Sequence, residues 1–237
     1  MLHEEYLKRV QELLGSSRDQ FDTIGAVGAE IARTIMAGGM VHAFGSGHSD
    51  MIAREVSGRA GGLVPVNRIA DPMLGKAERV EGYASVLLKE YERAHGLNAG
   101  EVIIIISNSG RNALPVEICM EAKHKGLTTV ALTSLAYSKQ VSSRHSSGKK
   151  LYELADYVID NGVDFGDALV GVPGTEIRSG AGSTIMGSLL INMIMLAAME
   201  IMVQAGHELP VLKSMNMDNA DEYNEKLIER YRWRLSW

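Results

Sequence analysis

The run EVIIIIS, beginning at Glu101, constrains the fold more than any other stretch. Val102 to Ile106 offers no polar position on either face of a strand. A strand with one wet face alternates in polarity. A continuously apolar strand is buried on both faces, as in parallel sheets covered by helices. Similar runs recur with segments of helical period between them. MVHAF precedes MIAREVSGRAGG, LVPV precedes AERVEGYASVLLKEYERAHG, and the isoleucine run precedes LPVEICMEAKHKG. TTVALTS follows, then the short helix LYELA and the strand DYVIDNG. Such alternation predicts an α/β fold: a three-layer αβα sandwich around a five-stranded parallel sheet. Pro65 suits LVPV to a place near the sheet edge.

Two helices open the chain. Tyr6, Val10, Leu13 and Leu14 share one face of the first; Phe21, Ile24, Val27, Ile31 and Ile35 mark the second, which stops at Gly38-Gly39. The expected organisation is a single domain. Residues 1–38 form a helical N-terminal arm, 39–206 the α/β core and 207–237 a C-terminal helical tail. The polar stretch Tyr137–Lys150 reads as a flexible loop. The longest apolar run, Ile185 to Val203, contains Asn192 and Glu200. Glu200 is too costly for a bilayer centre, so the run reads as a buried helix. Five methionines spread around it, as expected of a helix enclosed in the fold or at a subunit contact.

Several classes are disfavoured. The formal charge of −5 and the 5% aromatic content argue against nucleic acid as a partner. The start, MLHEEYLKRVQELL, is too charged for a signal peptide and too short and acidic for a helix-turn-helix. No membrane is expected, and the location expected is cytoplasmic. The single cysteine, Cys119, lies in a helical segment and reads as a buried thiol.

Two strand ends carry the chemistry. After the isoleucine run come Ser107, Asn108, Ser109, Gly110, Arg111 and Asn112, and then a helix. A helix N-terminus presents unpaired amides and partial positive charge, and so favours an anion. Ser and Asn add short donors, and glycine lets the backbone approach a ligand. One cap needs one such residue; four in six positions suit a phosphate monoester. No G-x-x-x-x-G-K-[ST] occurs anywhere. The second site is GSGHSD from Gly45. Asp50 stands where a dinucleotide fingerprint needs glycine, so Ser46, Gly47, His48 and Ser49 fit a small polar ligand better.

FGSGHS, IIIISNSGRN…EAKHKGLTTVALTS and GAGSTIMGSLLINMIMLAAM together resemble the sugar isomerase (SIS) family. Its relatives include phosphoheptose isomerase, the isomerase half of glucosamine-6-phosphate synthase and N-acetylmuramic acid 6-phosphate etherase. The resemblance runs from about Gly38 to Val203, and the closing VLKSMNMDNADEYNEKLIERYR is similar to a heptose-isomerase-like branch. It implies a parallel five-stranded core, a phosphorylated sugar as ligand, and a homodimer or homotetramer. Ser107, Ser109 and Asn112 match the phosphate-holding turn, with Asn112 where many relatives have threonine. Asn108 adds a backbone donor. Ser46 and Ser49 match the loop near the sugar. Ser183 and Thr184 match a hydroxyl pair at the start of the long helix.

Aldose–ketose isomerisation needs a base beside the carbon that loses its proton. The candidates are Glu78, Glu81 and Glu176: Glu81 is the closer match to the glutamate of the heptose isomerase and etherase relatives, and Glu176 stands in the glycine-dense segment GVPGTEIRSGAGST. Glu78 is expected one turn from Glu81 on the same helix. His207 is a possible second proton carrier, and Arg178 a possible counter-charge. Heptose isomerase relatives can use zinc, but the seven histidines here are scattered and show no ligand spacing. No metal or other cofactor is expected. The leading expectation is an aldose–ketose sugar-phosphate isomerase. The alternatives are an etherase-like lyase and a non-catalytic phosphosugar-binding protein.

Overall fold

The computed structural model describes all residues, 1–237. Helices α1 (Leu2–Ser16) and α2 (Phe21–Met36) open the chain. The core continues through β1 (Val41–Gly45), α3 (Asp50–Val56), β2 (Val66–Ile69), α4 (Tyr83–His95), β3 (Val102–Ile106), α5 (Ala113–His124) and β4 (Thr128–Thr133). Short helices α6 (Leu135–Gln140) and α7 (Leu151–Leu154) lead to β5 (Tyr157–Asp160). A hairpin of β6 (Ala168–Gly171) and β7 (Arg178–Ala181) precedes α8 (Ser183–Gln204), and α9 (Ala220–Tyr231) follows.

β1 to β5 form one parallel sheet in the order β2-β1-β3-β4-β5, between two helical layers. β3 shows why. Val102, Ile104 and Ile106 pack into the cluster with α2, α3 and α8. Ile103 and Ile105 pack into the opposite cluster with α4 and α5. Each fully buried isoleucine contributes about 1.5–3 kcal/mol of transfer free energy, so this one strand holds both layers. Cys119 is buried in the second layer, and burial pushes its thiol up to about 11.

α8 is long and apolar enough to cross a membrane by length and composition, but it packs as a layer helix against α2 and α3. Gly28 of α2 lets the helices meet: a Cβ there would lie 2.7 Å from Ala197 Cβ. One side of α8 remains uncovered in the single chain, with Leu196 62% exposed. α1 lies instead against the hairpin, where Val10 and Leu13 join Leu169, Val170 and Met186.

Several local expectations are corrected. The second strand occupies 66–69 rather than 63–66, because residues 61–64 pair with the segment after α8: Val64 N donates to Pro210 O at 2.7 Å and Leu212 N to Gly62 O at 3.0 Å. The fourth helix begins at Tyr83 rather than Ala77. Positive φ at Leu74, Gly75 and Gly82 breaks the helical path, and buried Asp71 holds the amides of Met73 and Gly75 in turns. Residues 137–150 are not a structureless loop. α6 covers their start, and buried Lys150 donates to Ser138 O at 2.7 Å and Val141 O at 3.1 Å. The glycine-dense segment forms the β6–β7 hairpin rather than a loop.

The outer edges of the sheet are occupied. Beside β2, Asn67 exchanges hydrogen bonds with Arg234 O and Ser236 N, and Trp237 Nε1 donates to Val66 O. Beside β5, the side-chain amide of Gln20 pairs with both backbone groups of Asp160 at 2.6 Å. At the amino ends of β1 and β3, fully buried His42 meets Glu101 at 3.0 Å and Tyr91 OH at 2.8 Å, and Arg234 closes on the same carboxylate. Burial alone would raise the Glu101 carboxyl; His42, Arg234 and the Asn98 amide outweigh it and hold the group well below the usual range. Burial lowers His42 against the opposing pull of Glu101.

Candidate functional site

Strand order places the site. Consecutive connections run outward in opposite directions from β1 and β3, so their carboxyl ends flank a crevice, the place where open α/β sheets bind ligands. Gly45 pairs with Ile106 and Ile106 with Leu132, so the loops after β1, β3 and β4 leave the sheet side by side.

In the turn after β3 the carbonyls are tied back to the protein. Asn108 O accepts from Ser134 N at 3.0 Å and Thr133 Oγ1 at 3.2 Å. Ser109 O accepts from Ser138 Oγ at 2.6 Å, Gly110 O from Leu151 N at 2.9 Å, and Arg111 O from Arg144 N at 2.8 Å. The amides of Asn108, Ser109, Arg111 and Asn112 have no protein acceptor. With acceptors directed inward and donors left over, the turn is a cradle for an oxyanion. The single buried side-chain polar atom without a partner, Arg111 Nε, belongs to this same turn. Gly110 plays a different part from the one expected. It adopts φ +57°, and a Cβ would lie 3.0 Å from Ser138 Oγ, so its bare face packs inward instead of admitting a ligand.

In the loop after β1, Ser46 Oγ donates to Glu78 Oε2 at 3.0 Å. The other oxygen of Glu78 accepts from Asn112 Nδ2, and its carbonyl accepts from Leu114 N at 3.1 Å, in the first turn of α5. One residue thus spans the crevice from loop to loop. Asn112 Oδ1 accepts from Arg144 Nη1 at 3.0 Å, which brings an arginine to the turn's flank. Ser46 and Asn112, expected to hold ligand, are engaged by Glu78. Gly47 takes φ +57° in the exposed part of the loop.

A cleft of about 120 Å³ is lined by His48, Ser49, Asn108, Asn161, Asp167 and Ser183 among others. Asn161 Nδ2 donates to Asn108 Oδ1 at 2.8 Å and fixes that amide. Asp167 accepts from Gly182 N at 3.1 Å, and from Ser183 N at 2.8 Å and Oγ at 2.6 Å, so the α8 N-terminus already has its anion. Thr184, next on the helix, is half-buried and makes no side-chain hydrogen bond.

Of the acid–base candidates only Glu78 lies at the crevice; Glu81, Glu176 and His207 are not brought together. Glu81 is not on a helix with Glu78. It lies at the rim, and hydrogen bonds from Ser146 Oγ and N, at 2.7 and 2.6 Å, hold its carboxyl below the usual range. Glu176 is exposed at the turn joining β6 and β7. Arg178 is committed to the hairpin, donating to Ala168 O at 3.0 Å and Leu169 O at 3.1 Å. His207 follows the far end of α8. At ~1.5 Å per residue that end is roughly 33 Å from the cleft, so His207 does not reach it within one chain.

Sequence reasoning missed Arg144, His145, Asn161 and Asp167. Arg144 and His145 come from a stretch whose only signal was polarity, and Asn161 and Asp167 from the end of the fifth strand and the residues after it, where nothing marked a site. His145 Nε2 stands 3.6 Å from Glu117 Oε1 and 3.8 Å from Glu81 Oε2, the one grouping in the chain with the side chains and spacing to hold a metal ion.

Comparison with known proteins identifies the family and the fold. The SIS domain model matches residues 5–134. A UPF0309 protein of Halalkalibacterium halodurans is 42% identical over 237 residues, covering 96% of each chain. One from Shouchella clausii is 37% identical, covering 99% of this chain and 98% of its own. Among solved structures, the Vibrio vulnificus NanR protein complexed with ManNAc-6P superposes with a TM-score of 0.56 at 12% identity, over 97% of this chain and 69% of that one. A phosphoheptose isomerase from Francisella tularensis gives 0.54 at 14% identity, over 85% and 96%. At such identities the solved structures share the fold with this chain. The sheet order, the serine-rich turn after β3 and these matches make the chain a member of the SIS-domain family, alongside the UPF0309 proteins.

Proposed function

We propose that this protein binds a phosphorylated sugar at the turn of residues 107–112 and isomerises it between aldose and ketose. The observation that carries the reading is the division of labour in that turn: carbonyls held by the protein, four amides free. A phosphate dianion accepts from those amides and from the hydroxyls of Ser107 and Ser109, beside the α5 N-terminus. Arg144 adds positive charge at the flank. Asn112 and Ser46 orient Glu78 rather than the phosphate. The sugar extends from the turn toward His48 and Ser49, and Glu78 stands over the crevice as the base. It takes the proton from C2 and returns it to C1, while the hydroxyl proton passes from O2 to O1 and the carbonyl moves from C1 to C2. Among fold relatives, the ManNAc-6P complex of NanR and the phosphoheptose isomerases are consistent with this ligand class.

Binding without turnover is the second reading. It is favoured by the fact that both Glu78 oxygens are already hydrogen-bonded. The test of the ligand class is calorimetry with matched sugars and sugar phosphates. Only the phosphates bind, and Ser107→Ala with Ser109→Ala weakens them at least about tenfold, as loss of two charge-assisted hydrogen bonds requires. Equal affinity for phosphorylated and plain sugars would sink the reading. Solvent-deuterium exchange at the carbon beside the carbonyl then separates isomerase from binder.

A further inference from the structure

We propose that Glu81, Glu117 and His145 form a site for one divalent transition-metal ion, best suited to zinc, at the rim of the crevice. The three residues come from three segments: the turns before α4, the middle of α5 and the stretch after α6. Their ligand atoms lie within 4.8 Å of one another. The spacing is informative. His145 Nε2 is 3.6 Å from Glu117 Oε1 and 3.8 Å from Glu81 Oε2, too far for the hydrogen bond that a direct ion pair would make. A tetrahedral ion with ligands at about 2.1 Å sets them roughly 3.4 Å apart. One imidazole with two carboxylates is a donor set for zinc rather than magnesium.

Hydrogen bonds to these side chains, the ligand oxygens included, already steer them. Glu117 Oε1 accepts from Gly82 N at 2.7 Å, and Ser146 fixes Glu81. His145 Nδ1 lies 2.7 Å from Ser147 Oγ, with Ser147 N at 3.2 Å. Nδ1 accepts from the Ser147 amide, which fixes the ring with Nε2 facing the two carboxylates; an ion bound there displaces the Nε2 proton. The His145 and Glu117 side chains are 11% and 15% exposed, whereas Glu81 is 42% exposed, so the remaining coordination position opens to solvent. An ion here fastens the segment carrying Arg144 to the segment carrying Glu78. The proposal stands whether or not the phosphosugar reading does.

The test uses the full chain, stripped with a chelator and titrated with zinc. Elemental analysis is expected to give one zinc per chain, with a raised Tm that magnesium does not reproduce. X-ray absorption is expected to show one nitrogen and oxygens at about 2.0–2.2 Å. His145→Ala and Glu81→Gln each weaken zinc binding by about 10- to 100-fold or more. Glu81 is exposed, so its variant folds and keeps the test decisive even if His145→Ala does not. Substoichiometric zinc, or unchanged affinity in the Glu81→Gln variant, overturns the site. So does stabilisation on acidification without zinc uptake, which would identify an imidazolium latched between carboxylates.

Discussion

Asn112 stands at the N-cap of α5, yet its side-chain amide donates to Glu78 instead of capping its own helix. The first amides of α5 are therefore left to the Glu78 carbonyl and to whatever occupies the turn. Helix, turn and crevice-spanning carboxylate are one unit.

If Glu78 is the base, Glu78→Gln keeps the hydrogen bond from Ser46 and still binds a sugar phosphate. Deuterium exchange at the reacting carbon drops by about 10²–10⁴-fold, the usual worth of a positioned base. Glu81→Gln leaves the exchange rate near the wild-type value in the same assay. The reverse pattern would transfer the role to the rim.

Gly110→Ala tests the turn itself. A left-handed non-glycine residue costs about 1–2 kcal/mol. The new Cβ also meets Ser138 Oγ at 3.0 Å, and Leu151 Cβ and Thr133 Oγ1 at 3.3 Å. At ~2–4 °C per kcal/mol for a chain of this size, Tm falls by roughly 2–8 °C. Ligand affinity falls with it, because the amides no longer converge. A variant with wild-type Tm would show that the turn tolerates a side chain on its inner face.

Acid should unfold the protein in two stages. His42 is buried neutral with a lowered pKa, so as pH falls below the ordinary imidazole value of 6.5 the unfolded chain takes up a proton that the folded chain refuses, and stability declines. Glu101 is also depressed. Its contribution is complete above the ordinary carboxylate value of 4.5 and is lost as pH falls further. Urea midpoints measured across pH should show both declines. His42→Asn should flatten the first and, because His42 helps to hold Glu101 low, shrink the second without abolishing it, Arg234 and the Asn98 amide remaining. A midpoint independent of pH between 7 and 5 would contradict the assignment of His42.

The uncovered side of α8 is the expected dimer contact. Ile185, Leu196 and Val203 are 39%, 62% and 58% exposed along it, an apolar stripe that a lone chain leaves in water. Sedimentation should give a dimer for the wild type and a monomer for Leu196→Glu. A wild type that sediments as a monomer refutes this.

The layers were legible because burial leaves a direct trace. Val102–Ile106 had to face two layers, and it does. The turn was legible because four small polar residues crowd one strand end. Glu78 was misplaced because helical periodicity over residues 77–95 hides the left-handed position at Gly82. Arg144 and His145 were invisible for a different reason. Their segment is ordered by Lys150 and by the backbone of the turn itself, contacts between residues far apart in the chain. The β6–β7 hairpin rests on Arg178 gripping its partner strand and on Tyr6 OH donating to Ala181 O at 2.7 Å, neither of which composition reveals.

The plugged margins of the main sheet restrict how copies of this protein meet. With Arg234–Trp237 bonded to Val66, Asn67 and Arg68 of β2 and the Gln20 amide pairing with Asp160 on β5, each margin of the sheet is interrupted for an incoming strand. Extending the central sheet from one subunit into the next would first have to displace these contacts, which favours helical surfaces as the route of assembly and blunts a common starting point for fibrils.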